Sequence, residues 1–348
     1  MISKKLQEEI QKNIENKQQT ILFLNRRGYS TFIMCRDCGY TIKCKNCNIT
    51  MTYHLKQNKL KCHYCGYEEE PVTTCPECKS TNIRYFGTGT QKLEEEVKKL
   101  FSNATTIRMD VDTVTKKNSH EEILNKFKNE NIDILIGTQM VVKGHHFPKV
   151  SLVGVIAADS SLNIEDFRAN ERTFQILTQV AGRAGREGLE GRVIIQTYNP
   201  DNIAVELAQK QDYKAFYESE IGIRKQLKYP PFCDIIVIGL SGEKEQEVIK
   251  EAKKIHKYLK ERIITKKIGV LLYSPVPAPI DKIKNKYRYR MIIKCLYNNQ
   301  INELLEQTIK ANELKKDVRL SIEINPQNMM WRIGDVSFWR ICPFCFTK

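Results

Sequence analysis

The sequence predicts an α/β protein built on a parallel sheet, with a cysteine-rich insert near its start and an α+β domain at its end. Three observations predict this. Short apolar segments alternate with helical segments over residues 1–32 and 81–200, the pattern of a parallel sheet covered on both faces. Four C-x-x-C pairs lie between residues 35 and 78. From residue 201 the order becomes β-α-β-β-α-β, which is typical of a ferredoxin-like sandwich.

The elements of the α/β domain follow from the spacing of apolar residues. An amphipathic helix is predicted over residues 1–19, and further helices over 91–101, 119–129 and 163–180. Apolar strands are predicted at 21–24, 106–109, 133–137, 152–157 and 192–197. In the C-terminal domain, 201–330, we expect strands at 234–240, 269–276, 287–296 and 318–324, and helices at 244–264 and 302–311.

The insert, residues 33–80, predicts two all-cysteine zinc sites. A two-residue gap lets both thiolates of one tight turn reach the same tetrahedral ion, and two such turns complete a site. A disulfide framework is the alternative, but the first residues are charged and helical, unlike a secretory signal. We therefore expect a reduced, cytoplasmic protein with no membrane partner. The expected ligands are Cys35, Cys38, Cys44, Cys47, Cys62, Cys65, Cys75 and Cys78.

A hairpin predicted within the insert indicates which cysteines share an ion. Residues 49–61 alternate in polarity around Gln57-Asn58, which favours two antiparallel strands. Such a hairpin would bring Cys44/Cys47 to Cys62/Cys65, and Cys35/Cys38 with Cys75/Cys78 would close around them. Sequential or interleaved pairing is the alternative. His54 and His63 could be ligands, but because eight thiolates suffice for two ions we expect both histidines at the surface or in the hairpin.

The charge of the chain favours a polyanionic partner. Lysine and arginine number 56 against 41 acidic residues, a formal net charge of +15, which is typical of nucleic-acid binding. Lysines spread over solvated faces are the alternative. Tyr287-Arg288-Tyr289-Arg290 alternates aromatic and cationic residues. This segment indicates either a stacking and phosphate-binding face or an ordinary edge strand with paired charges.

Two further segments carry residues suited to phosphate chemistry. QVAGRAGR, residues 179–186, places Arg183 and Arg186 three apart at a helix end, where guanidinium groups can stabilise charge on a transferring phosphoryl group. A plain basic helix terminus is the alternative. GTQMVVKGHHFP, residues 137–148, follows a strand, so Gly137 and Thr138 lie where open α/β sheets bind ligands. The adjacent histidines 145 and 146 are not expected to bind metal, because neighbouring side chains point apart.

These segments, with LNRRGY at residues 24–29, resemble the fourth, fifth and sixth motifs of the second RecA-like lobe of superfamily 2 helicases. The eight-cysteine insert directly after LNRRGY makes the resemblance more specific. So do DFRANER at 166–172 and YPPF at 229–232. The chain is similar, over residues 2–330, to the bacterial replication-restart helicases. The resemblance implies a RecA-like second lobe, a two-zinc ribbon and an α+β C-terminal domain.

The resemblance also implies site residues, cofactors and partners. Arg183 and Arg186 would contact the ATP γ-phosphate, and Gln179 and Gly182 would line the nucleotide cleft. The implied DNA contacts are Gly137, Thr138, Arg26 and Lys143. Implied cofactors are ATP, Mg²⁺ and two zinc ions in the nested sets. The implied activity is ATP-driven 3′–5′ unwinding of forked or single-stranded DNA. Implied partners are primosome proteins, helicase-loading proteins and single-stranded DNA-binding protein.

One departure from the family concerns the nucleotide. The 348 residues contain no G-x-x-x-x-G-K-[ST], and GTGTQK at 87–92 has the wrong spacing. No acidic Mg²⁺ motif follows a strand either. We therefore expect the C-terminal part of a helicase, inactive without a P-loop lobe. The alternative is a non-catalytic zinc-ribbon DNA-binding or primosome scaffold protein. An RNA polymerase-type or ribosomal ribbon would leave GRAGR unexplained. Residues 331–348, with a lone Cys342/Cys345 pair, receive no function.

Overall fold

The computed structural model describes residues 1–24, 32–47, 49–54, 57–62, 65–86, 89–110, 119–138, 141, 147–162, 166–185, 190–312, 314–315 and 317–329. Several residues singled out from the sequence lie outside this part of the chain: Arg26, His63, Lys143, residues 145–146, Arg186 and the tail 331–348. The described residues form two compact units. One unit is drawn from residues 1–31 and 85–218, and the other from 32–84 and 219–348.

The helices and strands follow the predicted order closely. The helices are α1 Lys4–Glu15, α2 Thr90–Leu100, α3 Ser119–Asn129, α4 Ala169–Ala181, α5 Ile203–Lys210, α6 Tyr213–Gln226, α7 Glu245–Thr265 and α8 Asn299–Ala311. The first strands are β1 Gln19–Leu24, β2 Phe32–Cys35, β3 Thr52–His54, β4 Lys59–Lys61, β5 Glu68–Glu69, β6 Ile83–Phe86, β7 Thr106–Met109 and β8 Ile134–Gly137. The others are β9 Val150–Ile156, β10 Arg192–Ile195, β11 Asp234–Gly242, β12 Leu271–Leu272, β13 Val276–Ile283, β14 Lys286–Cys295 and β15 Val318–Ile324. Within the described residues, no helix combines the length and apolarity that a bilayer crossing requires.

The first unit contains the predicted parallel sheet. Its strand order is β10-β9-β1-β8-β7, and every neighbouring pair is parallel. All six residues of β1 are buried, because β1 is the central strand and both of its faces are covered. The strand order reverses around β1, since β8 and β9 lie on opposite sides of it. Ligands of open α/β sheets bind beside such a reversal, at the carboxyl ends of the strands.

Two hydrophobic cores cover the two faces of this sheet. On one face, Ile21 and Phe23 of β1 pack with apolar residues of α3, α4 and α5. On the other, Leu22 and Leu24 pack with α1 and α2. This alternation is what the two-residue period of a strand produces. The α/β class and the parallel sheet covered on both faces are confirmed.

The C-terminal domain in the second unit has the order β-α-β-β-β-α-β, with one strand more between its two helices than predicted. Its strands are arranged β12-β14-β11-β15, every neighbouring pair is antiparallel, and β13 also pairs with β14. Apolar residues of α7 and α8 pack on one face of this sheet. A sheet covered by both helices on one face is the ferredoxin-like arrangement. The domain boundaries predicted from the sequence, at residues 32/33, 80/81, 200/201 and 330/331, are not tested by the division into two units. They stay predictions.

The edge-strand interpretation of Tyr287-Arg288-Tyr289-Arg290 is wrong, and Arg288 cannot serve the phosphate-binding interpretation. The segment lies in β14, which pairs on both sides and is therefore not an edge strand. Arg288 is fully buried, and its Nη1 donates to the Ile280 carbonyl at 3.0 Å. Arg290 donates to the carbonyl of Met329. Because the Arg288 guanidinium is buried inside the domain, it is not part of a phosphate-binding face. A stacking role for the half-buried Tyr287 and Tyr289 stays a prediction.

Candidate metal centres and motif residues

The inner cysteine set is assembled by the predicted hairpin. Strands β3 and β4 pair in antiparallel register, Thr52 with Lys61 and His54 with Lys59, and β5 adds a third strand. The hairpin brings Cys44 and Cys47 to Cys62 and Cys65, so that all four sulfurs lie within 4.8 Å of one another. Gly66 has a φ of +78° and donates its N–H to the Cys62 carbonyl at 2.8 Å. That left-handed turn is a position that glycine adopts without strain.

The outer set joins the turn after β2 to a turn about forty residues later. Cys35, Cys38, Cys75 and Cys78 bring their sulfurs within 4.8 Å of one another. Side chains outside the cysteines also connect the two turns. The Ser80 hydroxyl donates to Asp37 Oδ2 at 2.5 Å, and Asn82 Nδ2 donates to Asp37 Oδ1 at 2.9 Å. No residue spacing in the sequence indicates this connection.

The sulfur positions fit a tetrahedral metal ion. The Cys35–Cys78 and Cys38–Cys75 sulfur separations are 3.6 Å, and the Cys44–Cys65 separation is 3.5 Å. A tetrahedron with metal–sulfur bonds of about 2.3 Å has edges of about 3.8 Å, whereas a disulfide would require about 2.0 Å. The predicted nested grouping of the eight cysteines is therefore confirmed. Among the described residues, His54 belongs to neither set.

The two sets differ in burial and in the state of their thiols. In the inner set Cys47 is fully buried and Cys44 and Cys62 are nearly so, whereas Cys38 and Cys78 of the outer set are exposed. Burial raises the pKa of the Cys47 thiol, and a hydrogen bond from the Lys284 amide opposes this rise. The Cys38 backbone N–H lowers the pKa of Cys35 to about 7. Because the thiolate is the metal ligand, a bound cation would favour deprotonation at both sets.

Gly137 and Thr138 lie at the carboxyl end of the parallel sheet. Gly137 is the last residue of β8 and is in register with Phe23 near the end of β1. Thr138 is half-buried, and its carbonyl accepts the Val141 N–H at 3.0 Å. A Cβ at position 137 would meet Val141 Cγ2 at 2.1 Å and the Met109 carbonyl at 3.0 Å. Position 137 therefore requires glycine for steric reasons.

Gln179, Gly182 and Arg183 lie at the opposite end of the same sheet. Gln179 is exposed in the last turns of α4, and Gly182 caps that helix by donating to the Thr178 carbonyl at 3.0 Å. The half-buried Arg183 follows. Gly185, with φ +71°, donates to the carbonyl of Val150, the first residue of β9, at 3.1 Å. This bond ties the loop to the amino end of the sheet, one strand length away from Gly137.

A buried carboxylate at the start of α4 also escaped the sequence analysis. The Asp166 side chain is fully buried and contacts Arg168 Nε and Arg172 Nη1, both at 3.2 Å. Its Oδ1 also accepts the Arg168 backbone N–H at 3.0 Å. Asp166 thereby orients two guanidinium groups at the carboxyl end of the sheet, where α4 begins. The sequence signal was present in DFRANER, but helical periodicity alone does not distinguish a positioning carboxylate from a solvated one.

Family models match three parts of the chain. A primosomal protein N C-terminal domain matches residues 225–327, and a PriA DNA helicase Cys-rich region domain matches 44–69. A helicase conserved C-terminal domain matches 75–188. The three matches fall on the C-terminal domain, on the inner cysteine set, and on most of the parallel sheet.

Similar proteins match nearly the whole chain. Replication restart protein PriA of Bacillus subtilis is 46% identical over 335 residues, which is 95% of this chain and 41% of that protein. The PriA proteins of Synechocystis and Chlamydia trachomatis are 40% and 38% identical, over 89% and 91% of this chain. The chain spans 37–42% of the length of these three relatives.

Among solved structures, S. cerevisiae Dbp5 bound to RNA and ADP BeF3 matches 65% of this chain and 43% of that chain, at 14% identity and a TM-score of 0.29. That similarity is too low to support an argument. The matches to PriA sequences and family models do not depend on it. The parallel sheet, the two cysteine sets and the C-terminal sandwich each fall within segments that match PriA. The chain therefore matches the C-terminal portion of the replication restart proteins PriA.

Proposed function

We propose that this chain is the C-terminal part of an ATP-dependent 3′–5′ DNA helicase that restarts stalled replication forks and initiates primosome assembly. The observation that carries the proposal is the anchored loop after α4. Gly182 caps the helix, and the Gly185 bond to Val150 fixes the chain two residues beyond Arg183. A guanidinium group on a fixed backbone is what charge stabilisation during phosphoryl transfer requires, because catalysis there depends on positioning.

The nucleotide site needs two lobes. In the proposal, Arg183 and Arg186 contact the γ-phosphate, and Gln179 with Gly182 lines the same cleft. The phosphate cradle and the Mg²⁺ ligands come from a lobe with a P-loop, a motif that these 348 residues do not contain. Arginine side chains without that cradle do not position ATP or Mg²⁺. The chain by itself is therefore inactive as an ATPase, and hydrolysis appears when the first lobe is supplied.

The DNA site in this proposal lies at the other end of the sheet. Gly137 and Thr138 offer a backbone amide and a hydroxyl to a phosphate, and Arg26 and Lys143 add positive charge. The formal net charge of +15 supports a polyanionic ligand. We propose forked or single-stranded DNA as that ligand, with primosome proteins, helicase-loading proteins and single-stranded DNA-binding protein as partners. The bacterial cytoplasm is the compartment in which such a protein would act.

Each cysteine set is proposed to hold one Zn²⁺. Four thiolates at tetrahedral separations suit zinc, and iron is the other metal that favours such a donor set. Metal analysis of the purified chain distinguishes them: two equivalents of zinc per chain support the proposal, and iron or no metal contradicts it. The ions would fix the ribbon, since an all-thiolate zinc site supplies folding energy directly.

The test of the motor assignment uses Arg183→Ala in a mixture of this chain with a separately produced first lobe. The proposal predicts that DNA-stimulated ATP hydrolysis falls about 10³-fold or more, as for other arginine fingers, while DNA binding is kept. Gln175→Ala, an exposed change in the same helix, is the matched control and should keep full activity. If Arg183→Ala also kept full activity, the chain would instead be a non-catalytic DNA-binding or primosome scaffold.

A further inference from the structure

The hairpin formed by β13 and β14 of the C-terminal domain reaches the inner cysteine set. Its two-residue turn is Lys284-Asn285, with φ values of +49° and +60°, the left-handed pair of a tight hairpin turn. The Lys284 N–H donates to Cys47 Sγ at 3.2 Å. The Asn285 N–H donates to the Asn46 carbonyl at 2.8 Å, and Asn285 Nδ2 donates to Asn46 Oδ1 at 3.2 Å. Three bonds therefore join the turn to one cysteine knuckle.

Apolar packing reinforces these bonds. Ile280 and Ile283 of β13 are buried in the same cluster as Cys47, Met51 and Leu60 of the ribbon. Ile280 is 9% exposed and Ile283 is 7% exposed, although β13 is an outer strand of its own sheet. The ribbon therefore provides the cover for one end of this hairpin, and the hairpin completes the core around the inner sulfurs.

An amide bonded to a cysteine sulfur acts on the charge of the metal site. Four thiolates around a divalent cation carry excess negative charge, and an N–H donor stabilises a charged acceptor more strongly than a neutral one. Groups that donate to metal ligands orient them and increase metal affinity. The Lys284 amide is such a donor, because it hydrogen-bonds the Cys47 sulfur. Cys38 and Cys78 of the outer set are instead exposed to solvent.

We propose that the Lys284-Asn285 turn is a positioning element of the inner metal centre. It slows the release of the inner ion, and the bound ion in turn holds the hairpin of the C-terminal domain in place. The inference rests on the proposed zinc binding. It extends the inner centre beyond residues 44–69, the segment matched by the Cys-rich family model, to a part of the chain more than two hundred residues away. The outer ion leaves first, and its loss does not change the hairpin.

The first test compares the loss of each ion by hydrogen exchange in the full zinc-loaded chain. Cys65→Ser removes an inner ligand but keeps Cys47, which accepts the Lys284 N–H, and Cys38→Ser is the matched change in the outer set. The proposal predicts about tenfold faster amide exchange over residues 276–290 in Cys65→Ser and no change there in Cys38→Ser. Residues 318–324 of β15 serve as the internal reference. Equal responses in the two variants, or none in either, would overturn the proposal.

The second test follows zinc release into a chromogenic chelator. Two phases are expected, the slower from the inner set. Lys284→Pro removes the N–H and is incompatible with φ +49°, and it should speed the slow phase about tenfold. Lys284→Gly retains the N–H and tolerates this φ, so it should release both ions as the unchanged chain does. If Lys284→Pro leaves the rate of the slow phase unchanged, the proposal is contradicted.

The two tests separate this proposal from the one it rests on. A purified chain that binds no zinc defeats the proposed metal centres themselves. If the chain binds two zinc ions but amide exchange over residues 276–290 does not change when the inner ion is lost, only the proposed role of the turn is refuted. If Cys65→Ser does not fold, amide exchange can be followed in the unchanged chain while a chelator removes its zinc. Amide exchange over residues 276–290 should then rise during the slow phase of zinc release. A rise during the fast phase would refute the inference.

Discussion

Replacing Gly137 by alanine tests the geometry of the turn at the carboxyl end of the sheet. The added Cβ would lie 2.1 Å from Val141 Cγ2 and 3.0 Å from the Met109 carbonyl, whereas carbon atoms in contact are about 3.5–4.0 Å apart. The Val141 methyl must therefore move by about 1.5 Å within a packed core, since Val141 is 1% exposed. Overpacking of this kind costs about 3 kcal/mol, the upper part of the usual range.

A double variant shows whether this contact is the cause. Val141→Ala removes the clashing methyl, so the stability of Gly137→Ala/Val141→Ala should be close to that of Val141→Ala alone. The coupling between the two sites would then be about 3 kcal/mol, the upper end of the range for touching residues. The assay is urea unfolding followed by circular dichroism.

The control for the glycine change itself is Gly222→Ala. An added Cβ there meets nothing within 4 Å, and Gly222 lies inside α6. This change should raise stability by about 0.5–1 kcal/mol through helix propensity. If Gly137→Ala costs less than about 0.5 kcal/mol, or if the double variant shows simple additivity, the steric reasoning is refuted.

Two further changes test charged groups in the first unit. Asp166→Asn should lower the free energy of unfolding by about 2 kcal/mol, less than for a fully buried pair because Arg168 and Arg172 are partly exposed; unchanged urea midpoints would contradict this. The hydrogen bond from Lys12 lowers the pKa of Glu9. The stability that Glu9 contributes is therefore present at neutral pH and is lost as pH falls through its folded-state pKa. In Glu9→Gln, the free energy of unfolding should therefore fall less as the pH decreases than it does in the unchanged chain. An identical pH dependence in the two proteins would exclude the effect.

Regular apolar spacing predicted most of the fold correctly. The predicted bounds of β7, α3 and β15 agree with the structure residue for residue. In each case the apolar spacing fits one type of element, and a polar residue directly follows that element. The grouping of the eight cysteines was also predictable, since the hairpin between them brings the inner pairs together.

Two errors have local physical causes. The helix predicted from residue 163 begins only at Ala169, because Asp166 accepts the Arg168 N–H in a turn that competes with helix formation. The strand predicted over 269–276 is instead the short β12 followed by β13. Pro277 and Pro279 hide β13 in the sequence, but an outer strand tolerates proline.

The contact between the β13–β14 turn and Cys47 could not be predicted from sequence. Lys284 and Asn285 carry no cysteine, histidine or motif that indicates a metal centre, and the donor at Cys47 is a backbone amide. Every residue except proline has such an amide, so only the folded chain reveals which one approaches the sulfur.

In the proposed function, this chain supplies the second half of a two-part motor. We would first measure ATP hydrolysis by the zinc-loaded chain with forked DNA, alone and then mixed with the separately produced remainder of the Bacillus subtilis relative, which this chain does not match. We expect background hydrolysis for the chain alone and DNA-stimulated hydrolysis for the mixture. DNA-stimulated hydrolysis by the chain alone would contradict this expectation, and so would a stable complex of the two parts that hydrolyses no ATP.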